Sequence, residues 1–481
     1  FSARLLVGLF ALLLTVTACG QKPGVSEDFA GGELPPGATI DPETGQIIDA
    51  EGNVIGSAGS GFDTAIGGSG TGSGVGSGTG GGTDTTTGGG GTAPSGNKPA
   101  PSGGGNATGV TDNLIKIGAH APLTGAAPVP SDSAQKGTDL YWKWIERQNQ
   151  RIHGRRVEAI LKNDNYNPSQ AVAVCKEMVE RDKVFYLSGV AGTDQIQACA
   201  RYAASVGVPY LSAGVTEIGL TGLPNYFATS MTYADQGPLL VDFMINKLGA
   251  KGEKNGMLRY DTPNFEDAHD AFIRAARAKG LKIHYDRAVC KCATSTEAQT
   301  VVQEMKTAGI ENVYVLVAPV WWLQVLQAAR TQQYTPQWTG VGITKTFDTV
   351  ASVGCRNGTI DRSKFFSPFP AWVDAARFDP DFYKAVAAIY PEENSGKGDD
   401  FMLLGWAASK VGAELFKRAG RDLTREGFIY STERAKNVQT GTFPTLNFAP
   451  DDHYGANTVT VAEARCTDNR WHTLIPYTSD F

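Results

Sequence analysis

The sequence has no apolar run of the ~20 residues that a helix needs to cross a bilayer. The longest, over 5–16, is broken by Gly8 and Thr15. It has no basic excess either: 43 Lys and Arg against 49 Asp and Glu leave a net charge of −6, which argues against a nucleic-acid binder. It contains no GxxxxGK[ST], no HExxH and no GxSxG set between a strand and a helix. The six histidines, at 120, 153, 269, 284, 453 and 472, are scattered. Of these, His120 ends the first strand and is expected to be structural. The carboxylate pairs Asp399-Asp400 and Asp451-Asp452 read as loop and turn residues. Nothing sets a nucleophile beside a base, so the chain does not read as an enzyme, and no cofactor or metal is expected.

What is present is strongly segregated. Arg4 and the apolar run 5–16 have the length and charge of a secretory leader. They end in Val16-Thr17-Ala18-Cys19-Gly20, which resembles the lipobox of bacterial lipoproteins. That resemblance implies cleavage after Ala18 and diacylglycerol on Cys19, so that 1–18 is a signal peptide. Half of the 58 glycines follow at 19–111, among Ser, Thr and Pro. Such a tract buries too little apolar surface to offset its ordering entropy and reads as a flexible tether, with a reach of about 50–55 Å for some 90 residues. No strand precedes its glycines and no helix follows, so they are not a phosphate loop. Within it, 40–55 alternates apolar pairs with turn residues in the manner of a hairpin, although solvated linker is the reading adopted.

The pattern changes at Leu114. Short apolar runs at 114–123, 157–164, 184–190 and 208–214 alternate with helical stretches at 133–150, 171–182 and 194–205. In the second of these helices Ala171, Val172, Cys175, Met178 and Val179 share one face, and Asn167-Pro168 gives the start signal. The rhythm restarts with strands at 254–260, 282–289 and 312–317 and helices at 266–279, 296–308 and 321–331. Strands separated by helices mean parallel βαβ units. About 370 residues are too many for one small core and suit two doubly wound lobes of roughly 150–200 residues each. Ligands of such sheets bind beyond the carboxyl ends of the strands, so the residues after each strand are the ones to inspect.

Five segments carry a resemblance: IKIGAHAPLTG at 115–125, NDNYNPSQAVAV at 163–174, VGVPYLSAGVTEIGLTG at 206–222, NYFATSMTYADQGPLL at 225–240 and FPTLNFAPDD at 443–452. In this order they resemble the leucine/isoleucine/valine-binding family of ABC-transporter substrate-binding lipoproteins, over essentially all of 114–481. The resemblance implies a type I periplasmic-binding-protein fold with a three-crossing hinge and a ligand-binding domain over 112–481. Lobe I would take about 112–230 and 368–448, and lobe II about 231–367 and 449–481. The hinge crossings are expected near 228–232, 367–370 and 448–451. It further implies a small-molecule ligand, an ABC permease in the membrane as partner, a monomer, and a lipid-anchored place on the outer face of the bacterial cell membrane. A type I receptor that signals to a membrane partner without transport is the alternative, and a secreted enzyme is a more distant one.

Carried over residue by residue, Leu123 and Thr124 form one rim of the cleft. Gly192 and Thr193 hold the ligand carboxylate, and Val215 and Thr216 make a second polar contact. Thr193 near a helix start makes physical sense as an anion site, since free N–H groups and the dipole favour negative charge there; the alternative is that Thr193 or Asp194 only caps the helix. In the second lobe the resemblance places Phe265, Pro319, Trp321, Thr344 and Phe401 against the ligand. Adjacent helical residues point about 100° apart, so at most one of Trp321 and Trp322 faces the cleft, and Trp321 is favoured.

One departure matters. The loop 340–347 reads GVGITKTF, with Lys345 and no acid where amino-acid receptors of the family carry a carboxylate for the ligand ammonium. This shifts the expectation from an amino acid toward an aromatic or aliphatic acid. Setting Cys19 aside leaves six cysteines, and an even set in an exported chain reads as disulfides. Cys175 and Cys199 lie on the apolar faces of successive helices and are expected to pair. For the rest, Cys290 or Cys292 is expected to pair with Cys355 or Cys466, because Cys290 and Cys292 stand too close together for an easy bridge. The spacing Cys-Lys-Cys, with no adjacent His, disfavours a metal site.

Overall fold

The computed structural model describes residues 105–212, 218–252, 254–342, 348–356, 358–393 and 398–481, together with 39–40, 46–48 and 54–57. The chain separates into two compact units, 1–89 and 90–481. In the first, β1 (Thr39–Ile40), β2 (Gln46–Ile48) and β3 (Val54–Ser57) form an antiparallel meander within the stretch whose composition reads as linker. The apolar pairs around Ile47 and Val54, separated by turn residues, are what that hairpin pattern needs. The leader and Cys19 lie outside the described residues.

In the second unit, β4 (Leu114–Ala121), β5 (Arg156–Asn163), β6 (Tyr186–Gly189), β7 (Tyr210–Ser212) and β8 (Tyr226–Ala228) form a parallel sheet in the order β5-β4-β6-β7-β8. Its connections are α1 (Ser131–Arg147), α2 (Pro168–Glu180) and α3 (Thr193–Ser205). The start of α2 follows from its sequence: the Asn167 side chain accepts the Gln170 N–H at 2.9 Å and Pro168 opens the first turn.

The chain then passes to a second sheet through 229–232, where Thr232 caps α4 (Tyr233–Asn246) by accepting the Asp235 N–H at 3.0 Å. That sheet contains β9 (Asn255–Tyr260), β10 (Ile283–Val289), β11 (Asn312–Leu316), β12 (Gln337–Gly340), β13 (Lys364–Ser367), β14 (Val459–Arg465) and β15 (Arg470–Thr478), in the order β10-β9-β11-β12-β13-β14-β15. The strands β9–β13 are parallel, and β14 and β15 are antiparallel additions. Between them run α5 (Pro263–Ala278), α6 (Ser295–Thr307), α7 (Pro319–Thr331) and α8 (Asp348–Arg356). A strand such as β11 is apolar along most of its length because both faces are buried.

After β13 the chain returns to the first lobe as α9 (Ala375–Phe378), α10 (Phe382–Ile389), α11 (Asp400–Ala419) and α12 (Arg425–Thr432). The apolar core under the first sheet contains Phe382, Trp406, Phe416 and Phe428 together with Ile115 and Trp142. Two helices meet there backbone to backbone. A Cβ on Gly405 of α11 would stand 2.4 Å from the Gly137 carbonyl carbon of α1, so both positions need glycine. Residues 105–111 belong to this lobe as well: the Asn106 carbonyl accepts the Arg425 N–H at 2.8 Å, and the Gly109 carbonyl accepts the Lys116 N–H.

The third crossing lies further along the chain than 448–451. Ala449 and Asp452 close a tight turn, and His453 and Gly455 still hydrogen-bond to Ala228 of the first sheet. The chain leaves that sheet only at 456–458. The turn chemistry of FAPDD marks the turn correctly but says nothing of the parallel bridge that follows it.

Three disulfides are present among the described residues, and two correct the expected pairing. Cys175–Cys199 joins α2 to α3 across a Cα separation of 6.0 Å. Cys355 pairs with Cys466, and Cys290 pairs with Cys292 at a Cα separation of 5.0 Å. The i,i+2 bridge is feasible because Cys290 follows the end of β10 at a turn: the Cys290 carbonyl accepts the Ala293 N–H at 2.9 Å, which folds the two cysteines toward each other.

Candidate functional site

Both sheets start in the middle. The chain lays down β4, steps to β5 on one side, then returns past β4 to β6; the second sheet repeats this with β9, β10 and β11. Neighbouring connections therefore leave in opposite directions between β4 and β6 and between β9 and β11, which opens a crevice at their carboxyl ends. The segments at that crevice are 122–124 and 190–193 in the first lobe and 261–262 and 317–319 in the second.

In the first lobe the central feature is the start of α3. Its N-cap is Gly192, at φ +85°, and no side chain caps the helix. Thr193 is the first helical residue, 2% exposed, and Asp194 follows it in the first turn. The first turn, behind an N-cap that has no side chain of its own, lies at the positive end of the helix dipole, which suits an anion. Gln195, in the same turn, is buried and its Oε1 has no hydrogen-bond partner among the described residues.

The rim at Leu123 and Thr124 is held by an asparagine network. Asn163 Oδ1 accepts the Leu123 N–H at 2.9 Å, and the Thr124 hydroxyl donates to Asn165 Oδ1 at 2.7 Å. Leu123 is half-buried against the first core, and Thr124 is exposed. Behind the rim, His120 is fully buried, with Nδ1 2.8 Å from Asp164 Oδ2 and Nε2 2.7 Å from the Tyr210 hydroxyl. It is a structural histidine. The Cys175 and Cys199 sulfurs lie within 4.8 Å of it but are bonded to one another and offer a metal no thiolate.

In the second lobe Phe265 is buried, its ring 6.1 Å from that of Tyr233. Pro319 opens α7 and is half-buried. Trp321 and Trp322 do diverge. Trp322 packs on Trp338 and Phe365 in the core. Trp321 lies 5.9 Å from the Tyr260 ring and donates its indole N–H to the Thr294 carbonyl at 3.1 Å. Phe401 is buried in the first-lobe core, beside the Asp399 cap of α11 rather than in the second lobe. Val215, Thr216 and Thr344 lie outside the described residues.

The lobes touch through groups that sequence reasoning did not single out. Lys291, between the bridged cysteines, pairs with Asp194 in the first turn of α3. Burial pushes the Tyr166 phenol up to about 12, with the Asp194 and Asp164 charges adding to it. Burial likewise raises Tyr260 at the end of β9, with the Tyr166 charge adding and the Ala318 backbone N–H opposing. Both phenols therefore stay protonated at neutral pH, as hydrogen-bond donors.

A family model described as periplasmic binding protein matches residues 114–469. The chain belongs to the periplasmic binding protein family. Its two lobes with three crossings are the type I fold of that family, and leucine/isoleucine/valine-binding proteins are among the structures it matches. A fatty acid ABC transporter substrate-binding protein from Thermomonospora curvata superposes at a TM-score of 0.66 with 16% identity, over 78% of this chain and 94% of that one. A solute-binding protein of an R. palustris ABC transporter, in complex with benzoate, gives 0.63 and 19%, over 76% and 98%. A branched-chain amino acid ABC transporter protein from Thermus thermophilus with bound valine gives 0.64 and 17%, over 77% and 97%. At these identities the likeness speaks for the fold. No curated protein matches the sequence. Membership of the family implies an extracytoplasmic place, and among the described residues no helix is long and apolar enough to cross a membrane.

Proposed function

We propose that the chain is an extracytoplasmic substrate-binding lipoprotein that captures a small organic carboxylate between its lobes and delivers it to an ABC importer. The observation that carries this reading is the start of α3, whose N-cap has no side chain and whose first turn opens on the crevice. A carboxylate there accepts from backbone N–H groups at the positive end of the dipole. Thr193, Gly192 and the Leu123–Thr124 rim serve the first lobe. Val215 and Thr216, Phe265, Pro319, Trp321 and Thr344 complete the enclosure. Tyr166 and Tyr260 add neutral phenol donors.

An aromatic or aliphatic acid suits the site better than an amino acid, because 340–347 supplies no acid for an ammonium group. The structural relatives include a fatty acid receptor and one holding benzoate, as well as one holding valine. In this reading 1–18 is the leader, Cys19 carries the lipid and the chain from there to about 104 is the tether. Lobe I takes 105–230 and 368–455, lobe II takes 231–367 and 456–481, and the protein works as a monomer. Thermal-shift screening of benzoates and fatty acids against leucine, isoleucine and valine tests the ligand class. Stabilisation by the acids is the expected outcome, and stabilisation by the amino acids alone would overturn it.

A further inference from the structure

The Cys290–Cys292 ring stands at the carboxyl end of β10 with Lys291 at its tip. It is fixed on three sides. The Cys290 carbonyl accepts the Ala293 N–H, the Cys292 N–H donates to Cys290 Sγ at 3.0 Å, and Trp321 ties the adjoining Thr294 to α7. A lysine on so short a ring has little backbone freedom left to lose. Its ammonium reaches across the crevice to the Asp194 carboxylate of the other lobe.

Asp194 poses a problem for an anion site. It lies in the first turn of α3, where its charge favours the helix but repels a second anion on the same N–H groups. Buried Gln195, whose amide oxygen has no partner among the described residues and lies 2.4 Å from where a Cβ on Gly192 would stand, marks the same turn as polar ground. Lys291 removes the conflict by neutralising Asp194 from the far lobe. It also meets any ligand cation with a like charge.

We propose that Lys291, presented by the Cys290–Cys292 ring, is a specificity-determining residue: it neutralises Asp194 when the lobes close, so that the site admits an anionic head group and disfavours a zwitterion. This rests on the carboxylate reading above. The pair is 27% and 31% exposed, so salt screens it in part.

The test is isothermal titration of the full domain with benzoate, octanoate and L-valine, at low and high salt. It compares wild type with K291M, D194N, K291M/D194N, the Cys290→Ser, Cys292→Ser pair and Thr193→Ala. For whichever acid binds, K291M should weaken affinity about five- to tenfold at low salt and less at high salt. The K291M/D194N double variant should regain most of that loss, and the serine pair should show a smaller loss in the same direction. K291M should leave the melting temperature of the free protein unchanged, which separates charge from misfolding. If Thr193→Ala weakens acid binding and K291M does not, or if the double variant binds no better than K291M, this inference falls and the carboxylate reading stands. If L-valine binds and neither acid does, both fall.

Discussion

Replacing Gly192 by alanine probes the start of α3 directly. At φ +85° a non-glycine residue carries backbone strain of about 1–3 kcal/mol. The new Cβ would also stand 2.4 Å from Gln195 Oε1 and 3.0 Å from its Cδ, so the Gln195 side chain has to move. Gln195 is 1% exposed, and turning it within a packed interior adds about 1–2 kcal/mol. The sum is a destabilisation of about 2–5 kcal/mol, read as a shift in the urea midpoint at unchanged slope. Gly207→Ala is the control: it has φ +67° and nothing within 4 Å of the added Cβ, so it carries strain alone. The account predicts that Gly192→Ala costs at least ~1 kcal/mol more than Gly207→Ala. Equal losses would mean that Gln195 does not pack under the helix start, and the described geometry would be wrong.

Other outcomes follow from the same structure. Gly405→Ala drives a methyl into the α1 backbone and should destabilise by about 1–3 kcal/mol in urea unfolding; a neutral result would contradict the close helix contact. Removing the Cys175–Cys199 bridge, which closes 24 residues, should cost about 3.5 kcal/mol on the chain-entropy model, and removing Cys355–Cys466, which closes 111, about 4.7. A larger loss for the shorter loop would argue against that model here. His453 lies against Phe227 at 4.4 Å, and burial lowers its pKa, with the Glu433 charge opposing. A depressed folded pKa means that the unfolded chain takes up the proton first, so stability holds above about 6.5 and declines as pH falls below it. Urea midpoints at neutral and acidic pH should therefore differ more for wild type than for His453→Gln; matching slopes would remove His453 from that role.

The parts of the fold that were legible in the sequence are those fixed locally. Asn167-Pro168 starts α2 because a side-chain oxygen and a preset φ suffice, and strand–helix alternation forces parallel units. Cys175 and Cys199 sit on apolar faces that have to meet. What was not legible depends on contacts between distant segments. The third crossing moved to 456–458 because Ala228 pairs with Tyr454, over two hundred residues away in the chain. The spacing of Cys290 and Cys292 argued against a bridge, and only the turn closed by Ala293 reverses that. Lys291 is one of many lysines until β10 sets it opposite Asp194. Phe401 follows an acidic pair that reads as a loop, yet it packs in the first-lobe core because Asp399 caps α11 there.

The central claim is that a ligand carboxylate binds at the start of α3. Its most direct test is isothermal titration with the best-binding acid from the screen and with the methyl ester of that acid. Losing charge-assisted hydrogen bonds worth about 1.5–3 kcal/mol predicts an ester at least tenfold weaker. An ester that binds as tightly as its acid would contradict the account.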